Sequence, residues 1–427
     1  MPQPQGGGGT LSGDTNGPAN ANETNSVTPD TGGTNVPLGD FTSDPAEIRP
    51  VVRASAGGDI ETVSLATLAA ALPATESAFD YIITSRADLA AVVAPVGDAF
   101  NLPSGSYAIK DNLTLNANEY LVFPAANEIL WMGMGPGKKV TSSGLTGQAL
   151  LEIEAGAIVD MLTCTFEGND TDVATAQNAG TLRMTGCRFD GGSGDGFQNQ
   201  STGETYAVNC VFVAPTASFD AYQNQGGDTR LIACELDSPT QGNAFRDETS
   251  NDGVAYLTTC KLFADGGSPT VRLTNTDLDI WLTDCQIRNN DDNDGIQVGD
   301  LSSLSVVGGE IRNTGTVTNA DGIQFENGGV SGVNISGVFF QNWEECIIKT
   351  GTGDVNRATI SNCDMVGASV GIQWSSGDIP PDGLLILGVR FNNVSTQTGG
   401  FNENTSDVNM KCNSANGGLL AETSIVP

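Results

Sequence analysis

Apolar and polar residues alternate along the chain from Leu151 to Val394, in short runs separated by turn-forming residues. In two of these runs the apolar positions are Leu182, Met184, Cys187 and Phe189, and Ile280, Leu282, Cys285 and Ile287. A period of two residues is typical of β-strands, whose side chains point alternately to the two faces of a sheet. Gly, Asn, Asp, Ser and Thr fill the gaps and favour turns. The pattern therefore predicts short strands joined by turns, with no helix in this region.

The runs recur at a nearly constant interval, which six cysteines mark. Cys164, Cys187, Cys210, Cys234, Cys260 and Cys285 are separated by 23, 23, 24, 26 and 25 residues. We place the same slot at Gly309, Gly337, Cys363 and Val389, which gives ten copies of a unit of about 25 residues. A repeat of this length indicates a solenoid, and strands at this period predict an all-β fold, a single-stranded parallel β-helix of about ten or more coils.

Stacked coils bring equivalent residues to about 4.8 Å from one another. The cysteine slot then becomes an internal column of small apolar side chains, a structural ladder made of Cys164, Cys187, Cys210, Cys234, Cys260, Cys285 and Cys363. The total of nine cysteines is odd and includes no CxxC pair, which argues against disulfides and zinc.

A second strand also repeats in each coil. Its inward residues are Phe197, Tyr222, Phe245, Val271, Ile296, Ile323, Ile347, Ile372 and Phe401. A turn position precedes each by two residues and holds Asp195, Asp220, Asn243, Pro269, Asp294, Asp321, Glu345, Val370 and Gly399. The glycines between them, as in Gly196, Gly295 and Gly322, are expected to adopt an unusual φ.

An outward column follows each inward residue by one position. It holds Gln198, Gln223, Arg246, Arg272, Gln297, Gln324, Ile348, Gln373 and Asn402. Stacked amides can hydrogen-bond to one another along the helix axis, or the flat polar column can bind a sugar chain. The sequence leaves both interpretations open.

The two ends of the chain differ from this repeat. Residues 1–45 are a low-complexity arm of small and polar residues that is not expected to fold alone and is therefore predicted to be flexible. Residues 46–145 are predicted to form a small α/β cap and the first coils, with helices starting at Ser64 and Ser85 and stopping at Pro73 and Pro95. Residues 146–402 are the β-helix, and residues 403–427 are a second cap or tail that covers the other end.

Composition narrows the function classes. The net charge of -33 opposes nucleic-acid binding. The absence of histidine excludes Ser-His-Asp and His-metal chemistry. The N-terminal residues lack the pattern of a secretory signal peptide, and no apolar run reaches the ~18 residues of a membrane span. The expected place of folding is the cytoplasm of the cell that makes the protein, without membrane insertion.

With these features established, the chain resembles the pectate-lyase-like right-handed parallel β-helix superfamily, and within it the β-helical tail spikes and fibres of tailed viruses. The resemblance rests on the coil period, on "GDAFNLPSGSYAIKDNLTL", and on the turns "NADGIQF" and "NDDNDGIQV". It covers residues 100–400. It implies a virion structural protein, a homotrimer attached to tail or capsid proteins through residues 1–45, whose β-helix recognises a host-surface glycan. Gln223, Arg246, Arg272, Gln297, Gln324 and Gln373 are the glycan-binding candidates.

The resemblance also implies two alternatives. One is a capsid decoration or head-spike protein without a receptor role. The other is a polysaccharide depolymerase, a glycoside hydrolase or lyase, because many members of the superfamily cleave polysaccharides. Hydrolysis needs two carboxyl groups about 5 to 9.5 Å apart, which adjacent coils can supply from Asp195 and Asp220 or from Asp294 and Asp321. The acids recur at one turn slot, however, and recurrence favours a structural role. The sequence therefore favours a non-enzymatic protein.

The stretch Asn290–Gly295 looks like the first half of a calcium loop. The position where such a loop needs Glu holds Leu301, and no helices flank the stretch. The repeat identifies it instead as the turn of one coil. No cofactor is predicted, and Ca²⁺ at Asp291, Asp292 and Asp294 is the one metal that the sequence leaves open.

Overall fold

The computed structural model describes residues 79–399, apart from 136, 169–172, 217, 248–252, 275–277, 316, 327–328, 351–354 and 375–382. It also gives the backbone of strands at 50–54, 60–64, 408–414 and 423–425. The chain divides into two units, Met1–Ala78 and Phe79–Pro427. The arm predicted for residues 1–45 lies outside the described residues. So does the helix predicted after Ser64, and Ser64 itself ends a strand.

Among the residues that the structure describes, nine strands and one helix precede the regular repeat. The strands are β1 (Pro50–Ala54), β2 (Ile60–Ser64), β3 (Tyr81–Ile83), β4 (Ala99–Asn101), β5 (Gly105–Ile109), β6 (Leu113–Leu115), β7 (Tyr120–Phe123), β8 (Glu128–Gly133) and β9 (Lys138–Ser142). The helix α1 (Arg86–Val92) follows β3. Strands β1 and β2 form an antiparallel pair in the first unit.

The strands of the repeating coils are three to nine residues long. They are β10 (Leu151–Ile153), β11 (Ile158–Leu162), β12 (Cys164–Glu167), β13 (Ala176–Asn178), β14 (Thr181–Thr185), β15 (Arg188–Asp190), β16 (Phe197–Asn199), β17 (Glu204–Val208), β18 (Val211–Val213), β19 (Tyr222–Asn224), β20 (Asp228–Ile232), β21 (Glu235–Ser238), β22 (Phe245–Asp247), β23 (Gly253–Thr258), β24 (Lys261–Ala264), β25 (Val271–Leu273), β26 (Leu278–Thr283), β27 (Gln286–Asn289), β28 (Ile296–Val298), β29 (Leu301–Val307), β30 (Glu310–Asn313), β31 (Asp321–Phe325), β32 (Val330–Ser336), β33 (Phe339–Gln341), β34 (Glu345–Lys349), β35 (Ala358–Ser361), β36 (Asp364–Val366), β37 (Val370–Trp374), β38 (Leu384–Asn392) and β39 (Thr396–Gly399). Two strands follow, β40 (Val408–Ser414) and β41 (Thr423–Ile425).

These strands stack into three parallel sheets that run along one axis. Sheet 1 contains β3, β5, β8 and every third strand from there to β38; sheet 2 contains β6, β9 and every third strand to β36, and then the second half of β38. Sheet 3 contains β4, β7 and every third strand to β37, and then β39. The chain is therefore a parallel β-helix of about 11 turns, as the repeat predicts.

The interior is built from columns of identical or similar side chains. Phe189 lies between Phe166 and Phe212, with ring centroids 5.3 and 5.6 Å away, and Tyr222 lies between Phe197 and Phe245 at 5.2 and 5.6 Å. The seven ladder cysteines are all buried as free thiols. Burial raises the pKa of the Cys363 thiol to about 11, which keeps it protonated and unreactive.

The helix α1 lies at the start of the second unit, where an N-cap, an ion pair and one buried side chain hold it in place. Its N-cap is Ser85, whose side chain accepts a hydrogen bond from the Asp88 backbone N–H. Arg86 forms an ion pair with Glu119 and places its guanidinium 5.5 Å from the Phe100 ring centroid. Leu89 is buried in the same core as the first coils.

The register of the coils corrects two sequence assignments. Glu310 pairs with Phe339, so Val338, and not Gly337, occupies the cysteine slot. Gly337 has a φ of 68° and belongs to the preceding corner, where a glycine fits equally well. In sheet 3, Ile372 pairs with Thr398 and Gln373 pairs with Gly399. Thr398 and Gly399 therefore occupy the positions that the sequence assigns to Phe401 and Asn402. Phe401 and Asn402 themselves lie outside the described residues.

The glycines of the Asp-Gly turns are required for a reason other than φ. Gly196, Gly295 and Gly322 have no left-handed conformation, contrary to the sequence prediction. A Cβ atom on Gly196 would lie 2.5 Å from the Ala221 carbonyl oxygen, and one on Gly322 would lie 2.4 Å from the Cys346 carbonyl oxygen. Glycine is needed here because the backbones of successive coils approach so closely.

The corner between sheets 1 and 2 is where the left-handed conformation occurs. The residue just before each cysteine slot has a φ between 51° and 68°: Thr163, Gly186, Asn209, Ala233, Thr259, Asp284, Gly308, Gly337, Asn362 and Gly388. Asparagine and glycine tolerate this conformation, whereas a β-branched residue is strained in it.

We therefore expect Thr259→Asn to stabilise the protein by roughly 0.5–1 kcal/mol, because the Thr259 side chain is exposed and loses only strain. The measurement is the guanidinium midpoint of unfolding. The neighbouring Thr258→Asn is the control, since Thr258 is extended in β23 and asparagine is unfavourable in strands. Equal midpoints for the two variants would contradict the role of the corner.

Candidate functional site

The outward face of sheet 3 carries a polar strip that crosses most of the coils. Its members lie in register on consecutive strands from β13 to β31: Gln177, Gln198, Gln223, Arg246, Arg272, Gln297 and Gln324. Five of the six predicted glycan-binding residues are thus neighbours. The sixth, Gln373, lies two strands beyond Gln324 and is separated from it by the buried Ile348.

The amides of the strip bind one another in pairs, as the structural interpretation expects. Gln177 Nε2 donates to Gln198 Oε1 at 2.8 Å, and Gln297 Nε2 donates to Gln324 Oε1 at 3.4 Å. Most of the strip is nevertheless partly exposed, and each amide keeps hydrogen-bonding capacity beyond these contacts. At its N-terminal end the strip opens into a shallow depression of 330 Å³ that is lined by residues including Glu152, Glu154, Gln177 and Gln200.

A column of acids runs beside the strip, at the turn position that precedes each sheet 3 strand. Asp195, Asp220, Asp294 and Asp321 are all buried. Three of these carboxylates accept hydrogen bonds from the backbone of the next coil. Asp220 N–H donates to Asp195 Oδ1 at 2.7 Å, Asn243 N–H donates to Asp220 Oδ1 at 2.8 Å, and Asp321 N–H donates to Asp294 Oδ1 at 3.0 Å. Asp195, Asp220 and Asp294 therefore each hold the next coil in place, which is a structural role in itself.

The first acid cluster contains an arginine of the strip. Arg246 Nη1 donates to Asp220 Oδ2 at 3.2 Å, and Gln198 Nε2 donates to Asp195 Oδ2 at 2.8 Å. Burial and the neighbouring charge of Asp195 raise the pKa of Asp220 to about 6, although Arg246 partly offsets both effects. Burial also raises the pKa of Asp195.

The second acid cluster contains Asp294, Asp321 and Glu345 on three adjacent coils. Burial is the main cause of the pKa of about 7 at Asp294 and of the pKa of about 8 at Glu345, which also lies against the carboxyl group of Asp321. Asp321 and Glu345 lie in register on adjacent strands, and the charge of Asp321 also raises the pKa of Glu345. Carboxyl groups that are protonated near neutral pH are what a general acid requires, and coil spacing places them about 5 Å apart.

The turn Asn290–Gly295 is held by its own side chains. Asp291 N–H donates to Asn289 Oδ1 at 2.9 Å, and Asp292 N–H donates to Asp291 Oδ1 at 2.8 Å. Asp294 is buried and turned toward Asp321, whereas Asp292 is exposed. Across the part of the chain that the structure describes, no group of three or more acids or cysteines is arranged to hold a metal ion. That the chain holds no cofactor, with Ca²⁺ left open at this turn, stays a prediction.

The sequence alone does not identify three features of the structure, two at its surface and one in its interior. Glu345 was placed in the acid column but not named as a candidate acid. Asn178, Asn199 and Asn224 form a buried ladder that ends at Asp247, and "AQN", "FQN", "YQN" and "FRD" are its signal in the sequence. The third feature is a group of aromatic side chains on the outside of sheet 1, which the strand alternation places outward.

The fold and the strip define the class of this protein: a parallel β-helix with a polar column along one outer face. No protein-family model and no curated protein sequence matches the chain. In the described residues, no helix is long and apolar enough to cross a membrane.

Solved structures that resemble the chain are β-helix proteins of several activities. The A-module of the mannuronan C-5 epimerase AlgE4 of Azotobacter vinelandii is 14% identical, with a TM-score of 0.44 over 75% of this chain and 94% of the module. The ORF18 protein of Geobacillus virus E2 is 13% identical, with a TM-score of 0.37 over 87% of this chain and 69% of that one. Tailspike protein 3 of bacteriophage CBA120 is 12% identical, with a TM-score of 0.37 over 86% of this chain and 65% of the tailspike.

Proposed function

We propose that the protein is a virion component of the tail-spike or tail-fibre type, which uses the outer face of sheet 3 to bind a glycan on the host surface. The observation that carries the proposal is the strip from Gln177 to Gln324, in which amides and two guanidinium groups repeat at the coil spacing along one straight face. Such a row offers a donor or acceptor to every unit of an extended sugar chain.

The remaining parts of the proposal follow from the resemblance of the sequence to viral β-helices. The protein is a homotrimer, and residues 1–45 attach it to tail or capsid proteins of the particle. A capsid decoration role would use the same attachment without glycan binding. The two roles are separated by the effect of strip substitutions on adsorption to host cells.

Replacing Arg272 and Gln297 by alanine should reduce binding to host-envelope glycan at least tenfold, because each removes hydrogen bonds from adjacent points of the strip. The measurement is adsorption of the purified protein to host cells, with isolated glycan as competitor. Arg312→Ala is the matched control, since Arg312 lies outward on sheet 2 and contacts Gln341. Undiminished binding by the strip variant would remove the strip from the proposal.

The second acid cluster supports a second candidate function, depolymerisation of the bound polysaccharide. Asp294 and Glu345, with pKa values of about 7 and about 8, supply carboxyl groups that are protonated near neutral pH, and Asp321 between them accepts a hydrogen bond from Gln324 of the strip. The same incubations are assayed for new reducing ends and for unsaturated products. Release that Glu345→Gln abolishes, without loss of binding, would establish this function. The absence of release over hours at micromolar protein would exclude it.

A further inference from the structure

The outer face of sheet 1 differs from the other two outer faces in its chemistry. Ile158, Ile232 and Val307 lie on it, and they are three of the five large apolar side chains that are exposed within the described ranges. Ile232 and Val307 stand in one column, three strands apart, with Thr258 and Thr283 between them. A chain with a net charge of -33 thus exposes isoleucine and valine side chains on one face, two of them in a column whose intervening members are threonines.

Beside that column runs a ladder of aromatic and arginine side chains. Tyr206, Arg230, Tyr256 and Trp281 occupy consecutive strands in register. The Arg230 guanidinium lies 5.3 Å from the Tyr206 ring centroid and 5.4 Å from that of Tyr256. Tyr256 and Trp281 are stacked, with centroids 4.5 Å apart and planes 9° apart. Tyr, Trp and Arg are the residue types that contribute most to protein interfaces.

The stacking decides which kind of partner fits. A sugar ring binds aromatic side chains by lying against an open ring face. Here Arg230 covers one face of Tyr206 and one of Tyr256, and Tyr256 and Trp281 cover each other, so four of the six ring faces of the ladder are occupied. Occupied ring faces beside exposed Ile232 and Val307 suit a second protein surface, which packs against side chains without needing an open ring face.

Charge indicates which protein surface that is. A third outward column of sheet 1 holds Glu204, Asp228 and Asp279, next to the ladder that holds Arg230. Two copies packed side by side can place the acidic residues of one beside Arg230 of the other. Sheet 2 offers no such match, because many of its outward charges are already paired within the chain, as in Arg288–Glu310 and Arg390–Asp364.

We propose that the outer face of sheet 1 is the surface through which copies of this chain associate, with their helix axes side by side. The inference rests on the oligomer of the proposed function and assigns its interface. Thirteen strands about 4.8 Å apart and five residues wide give a face on the order of 55 by 15 Å. That is roughly 800 Å², the area that one partner contributes to a standard interface.

The test is the mass of the purified full chain in sedimentation velocity at micromolar concentration. We expect the wild type to sediment as an oligomer. The double variant Ile232→Asp/Val307→Asp should sediment at 44.0 kDa, the mass of one chain, with an unchanged circular dichroism spectrum. Val317→Asp is the matched control, because Val317 is equally exposed but lies between β30 and β31, off this face. It should remain oligomeric.

Each other result overturns the inference. A monomeric wild type removes both the interface and the oligomer of the proposed function. If the double variant remains oligomeric, the interface assigned to sheet 1 is wrong but the oligomer stands. The same holds if Val317→Asp dissociates to the same extent as the double variant. If the double variant loses its β-sheet spectrum, Thr258→Lys in the same column decides instead, since Thr258 is partly exposed and its strand stays paired on both sides.

Discussion

Lowering the pH from 8 to 5 should raise the free energy of unfolding by several kcal/mol. Burial raises the pKa of Asp294 from 3.8 to about 7 and is also the main cause of the pKa of about 8 at Glu345. The folded protein therefore binds protons between pH 4 and 8 that the unfolded chain does not bind. Stability from these groups is complete below their unfolded pKa and is lost as the pH rises through the folded pKa. At about 1.4 kcal/mol per pKa unit, Asp294 accounts for roughly 3 kcal/mol of this change, because about two pH units lie between pH 5 and its folded pKa of about 7.

The control for this pH dependence lies in the same turn. Asp294→Asn keeps an oxygen to accept the Asp321 N–H and removes the buried charge, so it should stabilise the protein at pH 8 and have little effect at pH 5. Asp292→Asn makes the same change of charge at an exposed position and should leave the pH dependence intact. The measurement is guanidinium unfolding of all three proteins at both pH values. A wild type that is less stable at pH 5, or identical behaviour of the two variants, contradicts the prediction.

Replacing Asn199 by leucine should destabilise the protein by roughly 3–5 kcal/mol. Asn199 is fully buried. Its Oδ1 accepts hydrogen bonds from Asn178 Nδ2 at 3.0 Å and Thr205 Oγ1 at 2.9 Å, and its Nδ2 donates to Asn224 Oδ1 at 3.1 Å. Leucine has nearly the same size but leaves several buried polar groups without these partners, at about 1–3 kcal/mol for each.

The measurement for this variant is the guanidinium midpoint together with the yield of soluble protein. Asn334→Leu is the control, because Asn334 is exposed on sheet 1, where its Nδ2 donates to Ser305 Oγ at 3.3 Å. It should change stability by less than about 0.5 kcal/mol. A loss of similar size in both variants would show that the buried ladder is not a special source of stability.

The sequence predicts the fold well because the repeat reports on stacking directly. Residues that stack on one another obey the same steric demands, so Cys164 and the five cysteines that follow reveal both the period and the inward face. The sequence assigns the wrong register where one residue type fits two neighbouring positions. Glycine fits both the left-handed corner and the cysteine slot, as Gly308 and Gly309 show. The sequence alone therefore assigns Gly337 to the cysteine slot, whereas it lies at the corner and Val338 fills the slot.

The candidate sites were less predictable, for a different reason. The outward strip follows from periodicity alone, and its five consecutive candidates do adjoin. Protonation does not follow from periodicity. Asp294 and Asp292 are two residues apart and identical in type, yet one is buried against the next coil and the other is exposed. Likewise, the sequence places Tyr256 and Trp281 outward but does not reveal that their rings stack on each other.

The fixed spacing between coils sets the distance between any two side chains of one column. Two side chains of one column that are separated by n coils stand about 4.8 × n Å apart, because the backbone ladder sets the increment whatever the side chains are. The gain or loss of one repeat, such as the 24 residues between Cys210 and Cys234, would then change the length of the β-helix by one coil spacing. The contacts between the other coils would stay the same. Length and surface chemistry can thus change independently of each other during evolution.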